Sequence, residues 1–292
     1  MKLSKSQKSA LKFVPLVIGL ILCDNIVWAK CVDDWLNVDE VRVGGDIELR
    51  ATNLQKYPIT FSMRVKTKGL TTNGPKTITQ TLQANESKLA MVLKKNRKRY
   101  RGQYSIHCDW TVGDKNAVHD DDQLYLFPYA EGSSYRIIQG YGSSFSHTGL
   151  ERYALDFYMD VGTPVHAARS GVVARVEESN DKGCWEDGCG KYANFVVILH
   201  DDGTTGEYYH LQKDGVLVDV GQHVRAGQKI ALSGDTGHTT LPHLHFAVYK
   251  AASWGTTQSI PVRFLGVDGV VSNPRRFQRY VATPFRDSDS KS

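Results

Sequence analysis

The chain has no long helical period. Beyond residue 30, no stretch repeats apolar residues at the 3.6-residue spacing of an amphipathic helix over several turns, which argues against a helical bundle. Long hydrophobic runs are also missing. The apolar stretch from Phe13 to Cys23 is too short for a comfortable membrane span. Charge of one sign is scarce: 36 Lys and Arg stand against 31 Asp and Glu, a formal net charge of +5. So mild a balance gives no case for nucleic acid as a partner. Cysteine is sparse, with five in 292 residues. Glycine (26) and tyrosine (14) are plentiful, and with 41% hydrophobic residues they describe a globular, turn-rich chain.

The N-terminus reads as a secretory signal. Lys2, Lys5, Lys8 and Lys12 form a basic segment, Phe13 to Cys23 an apolar one, and Val27-Trp28-Ala29 a small-residue cleavage site. This predicts a signal peptide over 1–29, a mature chain from Lys30, and export to the periplasm or beyond the cell. No stable membrane span remains after cleavage. The leader carries four lysines and one aspartate, so the mature chain is left at +2. Cys23 leaves with it. Cys31, Cys108, Cys184 and Cys189 then form an even set, which in an exported chain predicts two disulfides. Of the three possible connectivities we favour Cys31–Cys108 with Cys184–Cys189, the latter closing a small loop. A four-thiolate zinc site fits an oxidising compartment poorly, and only one pair is closely spaced.

Residues 30–128 carry short alternating runs such as Ile47-Glu48-Leu49-Arg50-Ala51 and Ile59 to Val65, separated by turns at Gly44-Gly45 and Asn73-Gly74-Pro75. They predict an N-terminal β-sandwich-like domain of unassigned role. The basic run Lys94 to Arg101 reads as a solvated hairpin tip. Asp120-Asp121-Asp122 marks a boundary. From about Tyr129, glycine-rich turns separate stronger β runs, among them Gly171 to Val176, Phe195 to Leu199 and Lys229 to Ser233. Arg275 to Tyr280, after Asn273-Pro274, is expected as a short helix. Residues 283–292 are expected as a flexible tail.

The chemistry centres on Leu241-Pro242-His243-Leu244-His245-Phe246. Its alternation is that of a strand, where positions i and i+2 share a face, so both imidazoles project together while Leu244 and Phe246 enter a core. Imidazole is the commonest metal ligand and titrates near neutrality. Three further polar positions stand out: His147 in a Gly- and Ser-rich loop, Asp156 amid apolar Tyr153-Ala154-Leu155 and Phe157, and His210 in Tyr208-Tyr209-His210-Leu211. A carboxylate so surrounded needs a partner. Two imidazoles and a carboxylate with an open fourth position make a catalytic zinc site, and two more imidazoles beside it would serve proton transfer. Spacing alone leaves open which histidines join Asp156.

The segments His147…Tyr153-Ala154-Leu155-Asp156-Phe157, Gly162-Thr163-Pro164-Val165-His166-Ala167, Asn194 to His200, Tyr208-Tyr209-His210-Leu211, Gly227-Gln228-Lys229-Ile230-Ala231 and Pro242-His243-Leu244-His245-Phe246 resemble the lysostaphin-type zinc endopeptidases of peptidase family M23. The likeness spans roughly residues 129–265 and leaves out 30–128. It implies a LytM-like antiparallel β-sheet peptidase domain over 129–282, which with the N-terminal β-sandwich-like domain read from its strands makes the chain all-β. It implies one zinc ion per chain on His147, Asp156 and His245, with His210 and His243 acting on water and intermediate, the general base between them left open. It implies hydrolysis of peptide bonds in bacterial peptidoglycan. An inactive LytM-like regulator of another wall hydrolase, or a secreted protease acting on proteins, are the alternatives. Two departures stand out. The common first motif is H-x-x-x-D, but here Arg152 occupies the histidine position and His147 lies nine residues before Asp156. Lys182 to Gly190, holding Cys184 and Cys189, looks like a disulfide-pinned insertion between two strands, either at the rim of the substrate groove or a plain stabilised hairpin tip.

Overall fold

The computed structural model of the protein describes residues 29–95 and 102–284. The signal-peptide reading, most of the basic run at 94–101 and most of the tail at 283–292 lie outside them. The regular structure of the described residues is β-strand, apart from short 3-10 turns at Gly149–Glu151 and Cys189–Tyr192. No helix among them is long and apolar enough to cross a membrane.

Two four-stranded sheets form the N-terminal part. One runs Ala29–Lys30, Gln103–Val112, Ile59–Lys68, Thr77–Leu82; the other Leu36–Val43, Asp46–Asn53, Ser87–Lys95, Leu70–Thr72. Between them lies a core that includes Leu36, Leu49, Phe61, Met63, Leu82 and Leu93, so this part is a β-sandwich. Gly44 and Gly45, both at positive φ (55° and 95°), close the tight hairpin that pairs Val43 with Asp46. Cys31 is bonded to Cys108 and Cys184 to Cys189, the favoured connectivity.

A nine-stranded sheet organises the rest. Its order is His223–Val224, Gly171–Glu177, Phe195–Leu199, Thr205–Tyr209, Leu244–Ala251, Leu155–Phe157, Ser134–Gln139, Arg279–Val281, with Thr257–Ile260 paired beside Leu244–Ala251. Its neighbours pair antiparallel. Leu155, Phe157, Val196, Ile198, Tyr208, Leu244, Phe246 and Val248 fill one face, as the alternation requires. Leu124–Leu126 joins this half by parallel pairing with Arg263–Gly266. The expected helix at 275–280 is absent: the chain turns at Arg276-Phe277, and Arg279–Val281 is a strand against Ser134–Arg136. The edge of the sheet offered ladder hydrogen bonds that a six-residue helix could not match.

Aromatic side chains of the N-terminal part meet the second half at Arg175 and Ala174. Trp35 stacks on Trp110 at 4.3 Å, with the guanidinium of Arg175 5.5 Å from the Trp110 ring. Tyr57 donates its hydroxyl proton to the Ala174 carbonyl at 2.7 Å.

Candidate metal centre and active site

Sheet register assembles the site. Gln139, Asp156, His245 and Tyr209 sit opposite one another across four adjacent strands. Successive residues on a strand face opposite ways, so one row of one face collects these four side chains. The carboxylate of Asp156 is buried. Its Oδ1 lies 2.9 Å from Nδ1 of His245 and 3.2 Å from Nε2 of His147. Its Oδ2 accepts a 2.6 Å hydrogen bond from Nε2 of Gln139.

His147 reaches this row from a loop. The nine-residue gap to Asp156 is taken up by the 3-10 turn Gly149–Glu151, which bulges away and leaves His147 fully buried. Its Nδ1 faces the Gly140 carbonyl at 3.2 Å, and a carbonyl only accepts, so Nδ1 carries the proton. Nε2 then holds the lone pair. It is buried without a hydrogen-bond partner, although 3.2 Å from the carboxylate. Two acceptors facing each other in a dry site are unfavourable unless a cation lies between them. One ligand atom from each of His147, Asp156 and His245 lies within 4.8 Å of the others. Two nitrogens and one oxygen make the donor set of a catalytic zinc site, so these residues fit a zinc ion.

His243 and His210 stand beside this group with ring centroids 4.5 Å apart. Nδ1 of His243 donates to the Leu241 carbonyl at 2.8 Å, and Nδ1 of His210 to the Thr236 carbonyl at 2.7 Å. In the neutral form of each ring, Nε2 therefore holds the lone pair. His210 occupies the left-handed region, φ 64°, between the strands Thr205–Tyr209 and Leu211–Val216. Such strain, about 1–3 kcal/mol for a non-glycine residue, tends to collect where a side chain must be aimed. Burial, then the neighbouring imidazoles of His243 and His245, push His210 down to about 3.

All five predicted site residues line one cleft of about 820 Å³. The insertion at 182–190 forms part of its rim. Trp185 stacks on Phe145 at 5.2 Å and on His238 at 4.1 Å. His166 and His200 bond to the Gly227 and Ser170 carbonyls and do not line the cleft. Sequence reasoning missed Gln139, Glu151 and Tyr249. Tyr249 had a signal, because it shares strand parity with His245; Gln139 and Glu151 had none.

Part of the chain is similar to known proteins. Residues 151–259 match the model of peptidase family M23. Lysostaphin of Staphylococcus simulans is 34% identical over 151 residues, 51% of this chain and 27% of its own length. Peptidoglycan DD-endopeptidase ShyA of Vibrio cholerae is 36% identical over 145 residues, 48% of this chain and 30% of its own. The chain thus spans under a third of the length of these two relatives. The solved catalytic domain of lysostaphin is 32% identical and covers 45% of this chain and 88% of that one, with a TM-score of 0.30. Residues 151–259 of this chain form a domain of peptidase family M23.

Proposed function

We propose that the protein is an exported zinc metalloendopeptidase that hydrolyses peptide bonds in bacterial peptidoglycan. The observation that carries this reading is the convergence of acceptor atoms from His147, Asp156 and His245 beside two imidazoles with free Nε2 atoms. His147, Asp156 and His245 would hold the metal. Zinc bound there supplies Lewis acidity, polarising a carbonyl and lowering the pKa of water towards neutrality. The rest falls to the chain. Nε2 of His210 or His243 takes a proton from the attacking water and returns it to the departing amine nitrogen. The carbonyls of Thr236 and Leu241 hold both rings in the tautomer that this needs. Gln139 fixes the carboxylate of Asp156. The substrate class is supported by the relatives, one named a peptidoglycan DD-endopeptidase and another, from Staphylococcus capitis, a glycyl-glycine endopeptidase. The two disulfides and the leader-like N-terminus support export to the periplasm or the medium. We read residues 30–128 as a separate domain that accompanies the peptidase domain at 129–282.

The test is to measure zinc in residues 30–292 and then digest purified sacculi. One zinc per chain and release of peptide-trimmed muropeptides is the expected outcome. Stoichiometric zinc with intact sacculi but cleaved casein would favour a protease acting on proteins. Absence of zinc would return the chain to the regulator reading.

A further inference from the structure

Behind His245, away from Asp156, lies a second hydrogen-bonded chain. Nε2 of His245 is 3.1 Å from the hydroxyl oxygen of Tyr249. That hydroxyl donates to Oε2 of Glu151 at 2.5 Å. Glu151 Oε2 itself is 3.8 Å from His245 Nε2. Tyr249 is buried at 3% exposure on the same strand as His245, and shares its face because the two are four residues apart. Glu151 ends the 3-10 turn that fills the long gap between His147 and Asp156.

Donor and acceptor bookkeeping then fixes a proton. A phenol has one hydrogen, and the carboxylate of Glu151 takes it. The oxygen of Tyr249 can only accept from His245. Nε2 of His245 therefore carries a hydrogen, and a neutral ring must present its lone pair on Nδ1. That atom faces Oδ1 of Asp156 at 2.9 Å. The arrangement disfavours the other tautomer, in which Nδ1 would donate to Asp156 and be lost as a donor to metal.

We propose that Tyr249 and Glu151 are positioning residues for the metal centre: they hold His245 as the Nε2–H tautomer, so that Nδ1 is its ligand atom. The inference rests on the zinc-site reading above. It also gives the unusual His147–Asp156 spacing a purpose, because the extra residues carry Glu151 to the back of His245. Partners of this kind, hydrogen-bonded to the far nitrogen of a ligating imidazole, are typically worth 10–100-fold in metal affinity.

The experiment measures zinc affinity by competition with a chromophoric chelator for the parent chain and for Tyr249→Phe, Glu151→Ala and Glu151→Gln. Thermal unfolding of each metal-free form is followed alongside. Tyr249→Phe and Glu151→Ala should weaken zinc 10–100-fold. Glu151→Gln should recover most of that loss, since an amide oxygen still accepts the tyrosine proton. Glu151 is partly exposed, with 43% of its side chain accessible, so its variants should fold and melt like the parent without metal. Parent-like zinc affinity in Tyr249→Phe and Glu151→Ala would overturn the inference and leave the zinc-site reading standing. Glu151→Gln as weak as Glu151→Ala would overturn the hydrogen-bond route. A parent that binds no zinc would overturn the reading beneath both.

Discussion

His245 and His210 have separable roles in the proposed site. His245 offers a donor atom at the centre of the ligand group, whereas His210 lies beside it with its far nitrogen free. His245→Ala should abolish both zinc binding and hydrolysis. His210→Ala should keep zinc and lose about 10²–10⁴-fold in turnover, the usual range for a proton-transfer residue. Zinc analysis beside sacculus digestion reads both, and equal zinc loss in the two variants would overturn the division of labour. At this scale the sequence was readable where chemistry shows through parity. His243-Leu244-His245 announced a shared face, and Asp156 stood out as a charge among apolar neighbours. The supporting shell was not readable. Gln139 and Glu151 reach Asp156 and His245 only because register and a loop bulge bring distant segments together. A lone Gln at a strand end or a lone Glu in a loop gives no hint of that.

At the scale of the element, the segment Thr236 to Leu241 orients the rings of His210 and His243, and the disulfide loop is tied to it. Gly237 N donates to the Lys182 carbonyl at 2.9 Å and Thr239 N to the Cys184 carbonyl at 3.0 Å. Gly237 sits at φ 88° with Ala193 against it: a Cβ there would lie 2.6 Å from the Ala193 Cβ, so no other residue fits without displacement. The two disulfides should differ in what they stabilise. Cys184–Cys189 spans five residues of separation and Cys31–Cys108 spans 77. Loop-closure entropy assigns about 2 kcal/mol to the first and about 4.5 kcal/mol to the second. Denaturant unfolding of Cys184→Ser/Cys189→Ser and of Cys31→Ser/Cys108→Ser should show that order. The short-loop variant should also lose turnover while keeping zinc, because its loop braces His210 and His243 and touches none of the three ligands. Unaltered turnover would sever that link. The connectivity was legible from spacing and the strands from alternation. The helix expected at 275–280 was not there, because an unpaired sheet edge is a tertiary opportunity invisible in a local pattern.

At the scale of the whole molecule, part of the acid stability is set far from the cleft. His200 is buried, with Nδ1 donating to the Ser170 carbonyl at 2.9 Å and Nε2 without a hydrogen-bond partner. Burial, then the nearby Arg169 cation, push it down to about 4 from 6.5. Asp202 sits close by; burial opposes its ionisation, but hydrogen bonds from His119, Thr204 and Arg169 hold it far below the ordinary carboxylate value. Arg169 also bonds Asp201 and the hydroxyl of Tyr125. This network ties the segment entering the second half of the chain to the sheet that carries the site. Both shifts have the same sign. A histidine whose folded pKa is depressed binds its proton more readily when unfolded, so its contribution is complete above pH 6.5 and is lost as pH falls from there towards 4. A depressed aspartate contributes above its unfolded value of 3.8 and loses that contribution below it. Stability of the parent should therefore fall in two stages on acidification, the first worth about 3 kcal/mol from His200 alone. His200→Leu should be less stable at neutral pH, because the Ser170 carbonyl loses its donor. Its stability should nevertheless fall less steeply than the parent's between pH 6.5 and 4. Urea unfolding at half-unit pH intervals measures both slopes, and parallel curves through that window would show that protonation of His200 does not drive the loss.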